Sequence, residues 1–161
     1  MKYTAAIITI SDKGSQGQRE DKSGPAIAGM LEGSYDITDM IIVPDEAGII
    51  SDAIKRLVDE QKTDLIITSG GTGLSKRDVT PEATKMVIEK DLPGFAEIMR
   101  MESCKITPHG IISRGVCGIR DASIVINLPG SPKAACECLS FVLAALPHAL
   151  DKLKGDTTDC G

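Results

Sequence analysis

The chain has 161 residues, a formal charge of −5 and 2% aromatic residues, with no Trp, two Tyr and two Phe. Its core must therefore be aliphatic, and the scarcity of aromatic residues argues against base stacking as a way of holding nucleic acid. The acidic balance also argues against non-specific nucleic-acid or acidic-membrane partners. No apolar run reads as long enough to span a bilayer, and no leader-like segment precedes the first strand pattern. The five cysteines, Cys104, Cys117, Cys136, Cys138 and Cys160, are an odd number. Together these features predict reduced thiols and a cytoplasmic protein.

Ala5 to Ile10 is continuously apolar and β-branched, which predicts a strand covered on both faces. Ser23 to Gly33 places Ala26, Ile27, Met30 and Leu31 on one helix face, with Gly33 as its stop. Ile37 to Val43 reads as a second strand, ended by Pro44. Ala47 to Glu60 carries a stripe of Ile49, Ile50, Ala53, Ile54, Leu57 and Val58 opposite Asp52, Lys55, Arg56 and Asp59, which predicts a helix. Asp64 to Thr68 is a third buried strand. Thr80 is placed to cap a helix with Pro81 at its first position. That helix is expected to break at Pro93-Gly94, with another from Phe95 to Cys104.

Ser113 to Leu128 reads as two strands joined near Arg120-Asp121-Ala122. Pro129-Gly-Ser-Pro132 then opens a long helix with a wide apolar face, kinked or divided by Pro147 and ended by Gly155. Cys136 and Cys138 form C-x-C, but residues two apart on a helix face different ways, so they read as small core residues and not as a metal pair. The alternation of strands and helices predicts a three-layer α/β/α sandwich with a mostly parallel sheet, closed by a C-terminal strand pair and the long helix. Residues 1–155 are expected to form a single domain and 156–161 a flexible tail.

In such folds ligands sit beyond the carboxyl ends of the strands. Four polar segments fall there: Ser11 to Gly14, Pro44-Asp45-Glu46, Ser69 to Asp78, and Pro129 to Lys133. The third is neither a Walker loop nor a dinucleotide fingerprint, because Leu74 follows Gly73 and Lys76 stands where a third glycine is needed. Gly70, Gly71 and Gly73 let backbone amides approach an anion, and Ser69, Thr72 and Ser75 add hydroxyls. Lys76 and Arg77 supply charge, and Asp78 can hold a divalent cation against the same anion. Ordinary roles stay open beside these. The glycines can serve a tight strand-to-helix connection, Asp45 can cap the helix over 47–60, and Asp12 can close an Asx turn. Ser131 with Pro132 is a standard helix entry, and Lys133 can be plain surface.

The segments Ile8 to Asp12, Pro44 to Glu46, Thr68 to Gly73, Arg77 to Glu82, Pro93 to Phe95 and Ile126 to Pro132 occur in an order and spacing that resemble the MogA/MoaB family. That family includes molybdopterin adenylyltransferases of molybdenum-cofactor biosynthesis. The resemblance implies transfer of AMP from MgATP to the terminal phosphate of molybdopterin, with release of pyrophosphate. It implies a homotrimer and hand-over of the product to a molybdate-insertion protein. It implies that Asp45 and Asp78 are the essential carboxylates and hold Mg²⁺, and that Gly70 to Gly73 form the ligand loop. It also implies that Ser103 contacts the pterin side, and that Ser11, Asp12 and the Pro129-Gly130-Ser131-Pro132-Lys133 loop form other pocket walls. The alternative within the same family is a non-catalytic molybdopterin carrier or trimeric scaffold. A scaffold has no need of two metal-binding carboxylates, and this chain has both.

Overall fold

A computed structural model describes residues 2–158. The apolar runs become strands β1, Tyr3–Ile10; β2, Tyr35–Val43; β3, Leu65–Ser69; β5, Cys117–Arg120; and β6, Ser123–Leu128. A two-residue strand, β4, Lys90–Asp91, completes them. Among the described residues these form one six-stranded sheet in the order β2-β1-β3-β6-β5-β4. β2, β1, β3 and β6 are parallel, and β5 and β4 return antiparallel. Every residue of β3 and β6 is buried, which is why those runs are unbroken by polar alternation. β2 lies at an edge and alternates in exposure along its length.

The helices take two faces of the sheet, giving the expected three layers. Helices α2, Ser23–Leu31; α5, Pro93–Ile106; α6, Pro132–Val142; and α7, Leu146–Leu153 pack around Ile7, Leu65, Ile67, Ile124 and Ile126. Helices α3, Ala47–Lys55, and α4, Thr80–Lys85, cover Ile8, Ile66 and Val125 on the opposite face. A single turn, α1, Asp12–Ser15, follows β1. Each fully buried Ile or Leu contributes about 1.5–3 kcal/mol relative to exposure, so aliphatic packing on both faces carries this fold without Trp.

Four local expectations change. The helix expected over 47–60 widens into a π-type turn at Arg56–Glu60, which brings the adjacent residues Leu57 and Val58 both fully into the core. Thr80 does not cap α4; its hydroxyl donates to the Gly70 carbonyl at 2.9 Å. α4 stops long before Pro93, because the backbone is drawn to β5: the Glu89 amide donates to Ile119 O at 2.7 Å and the Leu92 amide to Cys117 O at 2.8 Å. Pro93 therefore opens α5 instead of ending α4. Finally, the helical stretch Pro132–Leu153 is long and apolar enough, by length and composition, to cross a membrane. A 3₁₀ turn at Leu143–Ala145 and Pro147 divide it, and its Ala135, Leu139, Val142, Leu146 and Leu150 are packed in the core.

Cys138 is one of those core residues, with its sulfur 3.4 Å from the Ser103 hydroxyl. Of the tail, Asp156 is tied back to α7 by its amide, which donates to Asp151 O at 3.0 Å. Residues 159–161, including Cys160, lie outside the described residues.

Candidate functional site

Because β2, β1, β3 and β6 are adjacent and parallel, the polar segments after them meet at one edge of the sheet. There they line a cleft of about 810 Å³. Ser11 and Gly14 enter it from β1, Asp45 from β2, Ser69, Gly70, Gly71 and Asp78 from β3, and Gly130, Ser131 and Pro132 from β6. The ordinary roles of two of these are now decided. Ser131 caps α6, accepting the Ala134 amide at 3.1 Å, and faces the cleft as well. Asp45 does not cap α3: Glu46 occupies the N-cap position, with no side-chain cap bond.

Asp45 is instead locked to Asp12. The Asp12 amide donates to Asp45 Oδ2 and the Asp45 amide to Asp12 Oδ1, both at 3.0 Å. This reciprocal pair joins the ends of β1 and β2. Arg77 fastens it further, with its guanidinium on both oxygens of Asp12 at 3.0 and 2.8 Å and on Glu46 at 2.9 Å. The sequence reading gave Arg77 to an anion; the structure gives it to two carboxylates, so it serves as a bracket between three loops. The Arg77 guanidinium holds the Asp12 carboxyl below its ordinary range. Asp45 shifts the other way. Burial raises it first, and the charges of Asp12 and Asp78 raise it further. An acidic group pressed upward by neighbouring carboxylates is a place where a cation would relieve repulsion. Among the described residues no group of three or more His, Cys, Asp or Glu is gathered to hold a metal alone. Two cleft carboxylates fit a Mg²⁺ ion that brings phosphate oxygens as its remaining ligands.

The glycine loop is built by close approach. Gly71 has φ +67°, and a Cβ there would stand 2.3 Å from Thr80 Oγ1 and 3.2 Å from Asp45 Oδ1. Among the described residues the Gly71 amide donates to no protein acceptor, whereas the Gly70 amide is bound to Leu128 O at 3.0 Å. Arg114, which local pattern could not single out, ties the rest of the loop together. Its amide donates to Thr72 O at 2.9 Å, and its guanidinium donates to Gly73 O at 2.8 Å, to Asp78 O at 2.7 Å and to the Glu82 carboxylate. That bond holds Glu82 below the ordinary carboxyl range. Arg114→Ala leaves the Gly73 and Asp78 carbonyls without their shared donor. It is expected to lower the melting temperature by several degrees and kcat/KM by at least about tenfold, while Arg114→Lys restores little because it lacks the planar fork. Thermal melts alongside steady-state kinetics check this.

Six expected site residues are not on the main cleft wall. Thr72 is buried, Gly73 is under Arg114, and Asp12 stands behind Asp45. Lys133 is exposed, paired with Glu137 at 3.8 Å. Pro129 accepts the Ser69 hydroxyl at 2.9 Å through its carbonyl, and lines a separate small cavity that also contains Ser103, Cys138 and Asn127. Ser103 is the sixth, placed away from the carboxylates. Conversely, sequence reasoning missed Arg19 to Ser23, the end of the connection from α1 and the first residue of α2, which also line the cleft.

Fold and cleft together define a class: an α/β domain with a polar, carboxylate-bearing cleft at the carboxyl ends of its parallel strands. A family model described as "Probable molybdopterin binding domain" matches residues 6–148, and the chain belongs to that family. The molybdopterin adenylyltransferase of Helicobacter pylori strain J99 is 45% identical over 154 residues, covering 93% of this chain and 87% of that protein. The molybdopterin adenylyltransferase of Escherichia coli K12 is 37% identical over 164 residues, covering 92% and 84%. The crystal structure of the molybdopterin biosynthesis enzyme MoaB from Thermus thermophilus superposes with a TM-score of 0.91 at 43% identity, over 96% of this chain and 98% of that one.

Proposed function

We propose that this chain is a molybdopterin adenylyltransferase of molybdenum-cofactor biosynthesis. It transfers AMP from ATP to the terminal phosphate of molybdopterin, giving adenylyl-molybdopterin and pyrophosphate, with Mg²⁺ as the metal. The reading takes residues 1–155 as one molybdopterin-binding domain that works in the cytoplasm as a homotrimer and passes its product to a molybdate-insertion protein. The observation that carries it is that Asp45 and Asp78 line one cleft with the glycine loop, neither of them capping the helix that follows it. The names of the relatives agree with it.

The chemistry asks for positioning and charge control. The attacking phosphate is already ionised near neutral pH, so no strong base is needed. Gly71, Ser11 and Ser131 offer uncharged donors around the cleft, suited to orienting phosphate oxygens. Asp45 and Asp78 would hold Mg²⁺ together with substrate oxygens, and the ion would neutralise phosphate charge when bound. The Asp12–Asp45 pair, with Arg77 bracketing Asp12, keeps the Asp45 carboxylate in place before substrate arrives, and the Ser75 amide, donating to Asp78 Oδ2 at 2.8 Å, orients the other. Purified protein mixed with molybdopterin and MgATP is expected to form pyrophosphate and adenylylated pterin in equal amounts, and Asp45→Ala is expected to abolish both. Tight pterin binding with neither product would identify a carrier or scaffold instead.

A further inference from the structure

Two cations on the cleft wall have no role in the chemistry above. Arg19 and Lys22 stand on the connection between α1 and α2 and line the same cleft as Asp45 and Asp78. Among the described residues neither enters an ion pair. The cations that sequence alone pointed to are mostly committed elsewhere: Arg77 to Asp12 and Glu46, Arg114 to Glu82, and Lys133 to Glu137. The connection itself is fastened in place. The Asp21 carboxylate accepts the Thr9 hydroxyl at 2.7 Å, the Ser23 amide at 3.0 Å, the Ser23 hydroxyl at 3.1 Å and the Gly24 amide at 3.1 Å. It thereby pins the segment carrying Arg19 and Lys22 to the end of β1 and the first turn of α2. Gly24 is held close as well: a Cβ there would stand 2.4 Å from Asp21 Oδ2.

We infer that Arg19 and Lys22 form the subsite for the β- and γ-phosphates of the nucleotide and hold the pyrophosphate as it departs. This rests on the adenylyl-transfer reading. In that reaction an oxygen of the acceptor phosphate bonds to the α-phosphorus of ATP. The bond from that phosphorus to the bridging oxygen breaks, and its electron pair leaves with pyrophosphate. Nothing is oxidised or reduced, and no proton must move at phosphorus. The acceptor phosphate arrives already ionised, whereas the leaving group gains charge as its bond breaks. Direct cations therefore accelerate the reaction most at the departing end. Arginine's fork matches two phosphate oxygens, and lysine supplies a compact charge beside it. Gly71 and Gly130, on the loops after β3 and β6, line the cleft without side-chain charge, and this assignment leaves them to the acceptor.

Arg19→Ala and Lys22→Ala test this, each checked for an unchanged melting temperature. Each is expected to weaken inhibition by pyrophosphate, and to raise the KM for MgATP, by about tenfold, with molybdopterin binding measured by titration calorimetry left within about twofold. Lys22→Arg is expected to keep most of the pyrophosphate sensitivity. Unchanged pyrophosphate inhibition in both alanine variants overturns the assignment. So does a loss confined to molybdopterin binding, which would give the two cations to the acceptor phosphate. If the wild-type protein forms no pyrophosphate, the adenylyl-transfer reading itself has failed. Direct titration of magnesium pyrophosphate onto wild type and variants then decides the subsite: weaker binding in the variants keeps it, and equal binding removes it.

Discussion

Asp45→Asn is expected to abolish adenylyl transfer while raising the melting temperature at neutral pH. Burial, and then the charges of Asp12 and Asp78, hold the Asp45 carboxyl above its ordinary range in the folded protein. A carboxyl shifted this way stabilises the fold in its protonated form. That contribution is complete below the unfolded pKa and is lost as pH rises through the raised folded value. At neutral pH the ionised group therefore strains the fold, and asparagine removes the strain while its carbonyl still accepts the Asp12 amide. A gain of about 2 °C at pH 7 is expected, shrinking as pH falls into the ordinary carboxylate range. The kinetic effect is far larger, because on the proposed reading the amide would lack the negative charge that holds Mg²⁺ against the phosphates; a fall in kcat of at least about a thousandfold is expected. Paired measurements of melting and turnover decide it. A variant that melts lower and still turns over would return Asp45 to a purely structural role.

The same residue shows what can be read from a linear sequence. That Asp45 follows a strand was visible, because Ile37 to Val43 ends at proline and Ala47 to Val58 has helical spacing. Four loops at one edge followed from four parallel strands, and those strands were legible because burial on both faces leaves unbroken apolar runs in β1, β3 and β6. What the side chains in those loops bind was not legible. Arg77 and Asp12 are 65 residues apart in sequence, and their ion pair exists only once the ends of β1 and β3 are neighbours. Arg114 reaches Glu82 across 32 residues for the same reason. The Arg19 to Ser23 wall was missed because its polar sequence has no period, and the Asp21–Thr9 bond that fastens it to β1 spans 12 residues. β4, at two residues, is too short to show any alternation. Ser103 was reached through family resemblance alone, and the fold sets it beside Cys138 in a different cavity.

Gly70→Ala is expected to be the most destabilising glycine-to-alanine change among the described residues. Gly70 has φ +109°, and a Cβ there would stand 2.4 Å from the backbone carbonyl of Ile10. That carbonyl belongs to the last residue of β1, inside the sheet, and cannot move as a flexible side chain would. Gly70 is also where three strand ends are joined. Its amide donates to Leu128 O, its carbonyl accepts the Thr80 hydroxyl, and a Cβ on Gly130 would already lie 3.3 Å from its Cα. The left-handed backbone costs alanine about 1–2 kcal/mol, and the overlap adds about 1–3 kcal/mol more. Together these predict a melting temperature lowered by about 9 °C. Relief of the overlap must push β1 and β3 apart or rotate the loop. Either movement carries Gly71 relative to Asp45, so kcat/KM is expected to fall about a hundredfold even in the folded fraction. Gly29→Ala supplies the contrast, since a Cβ at that position in α2 meets nothing within 4 Å. It is expected to raise stability by about 0.5–1 kcal/mol and leave turnover unchanged. If Gly70→Ala melted and turned over like Gly29→Ala, the three-strand junction would not be what sets the cleft.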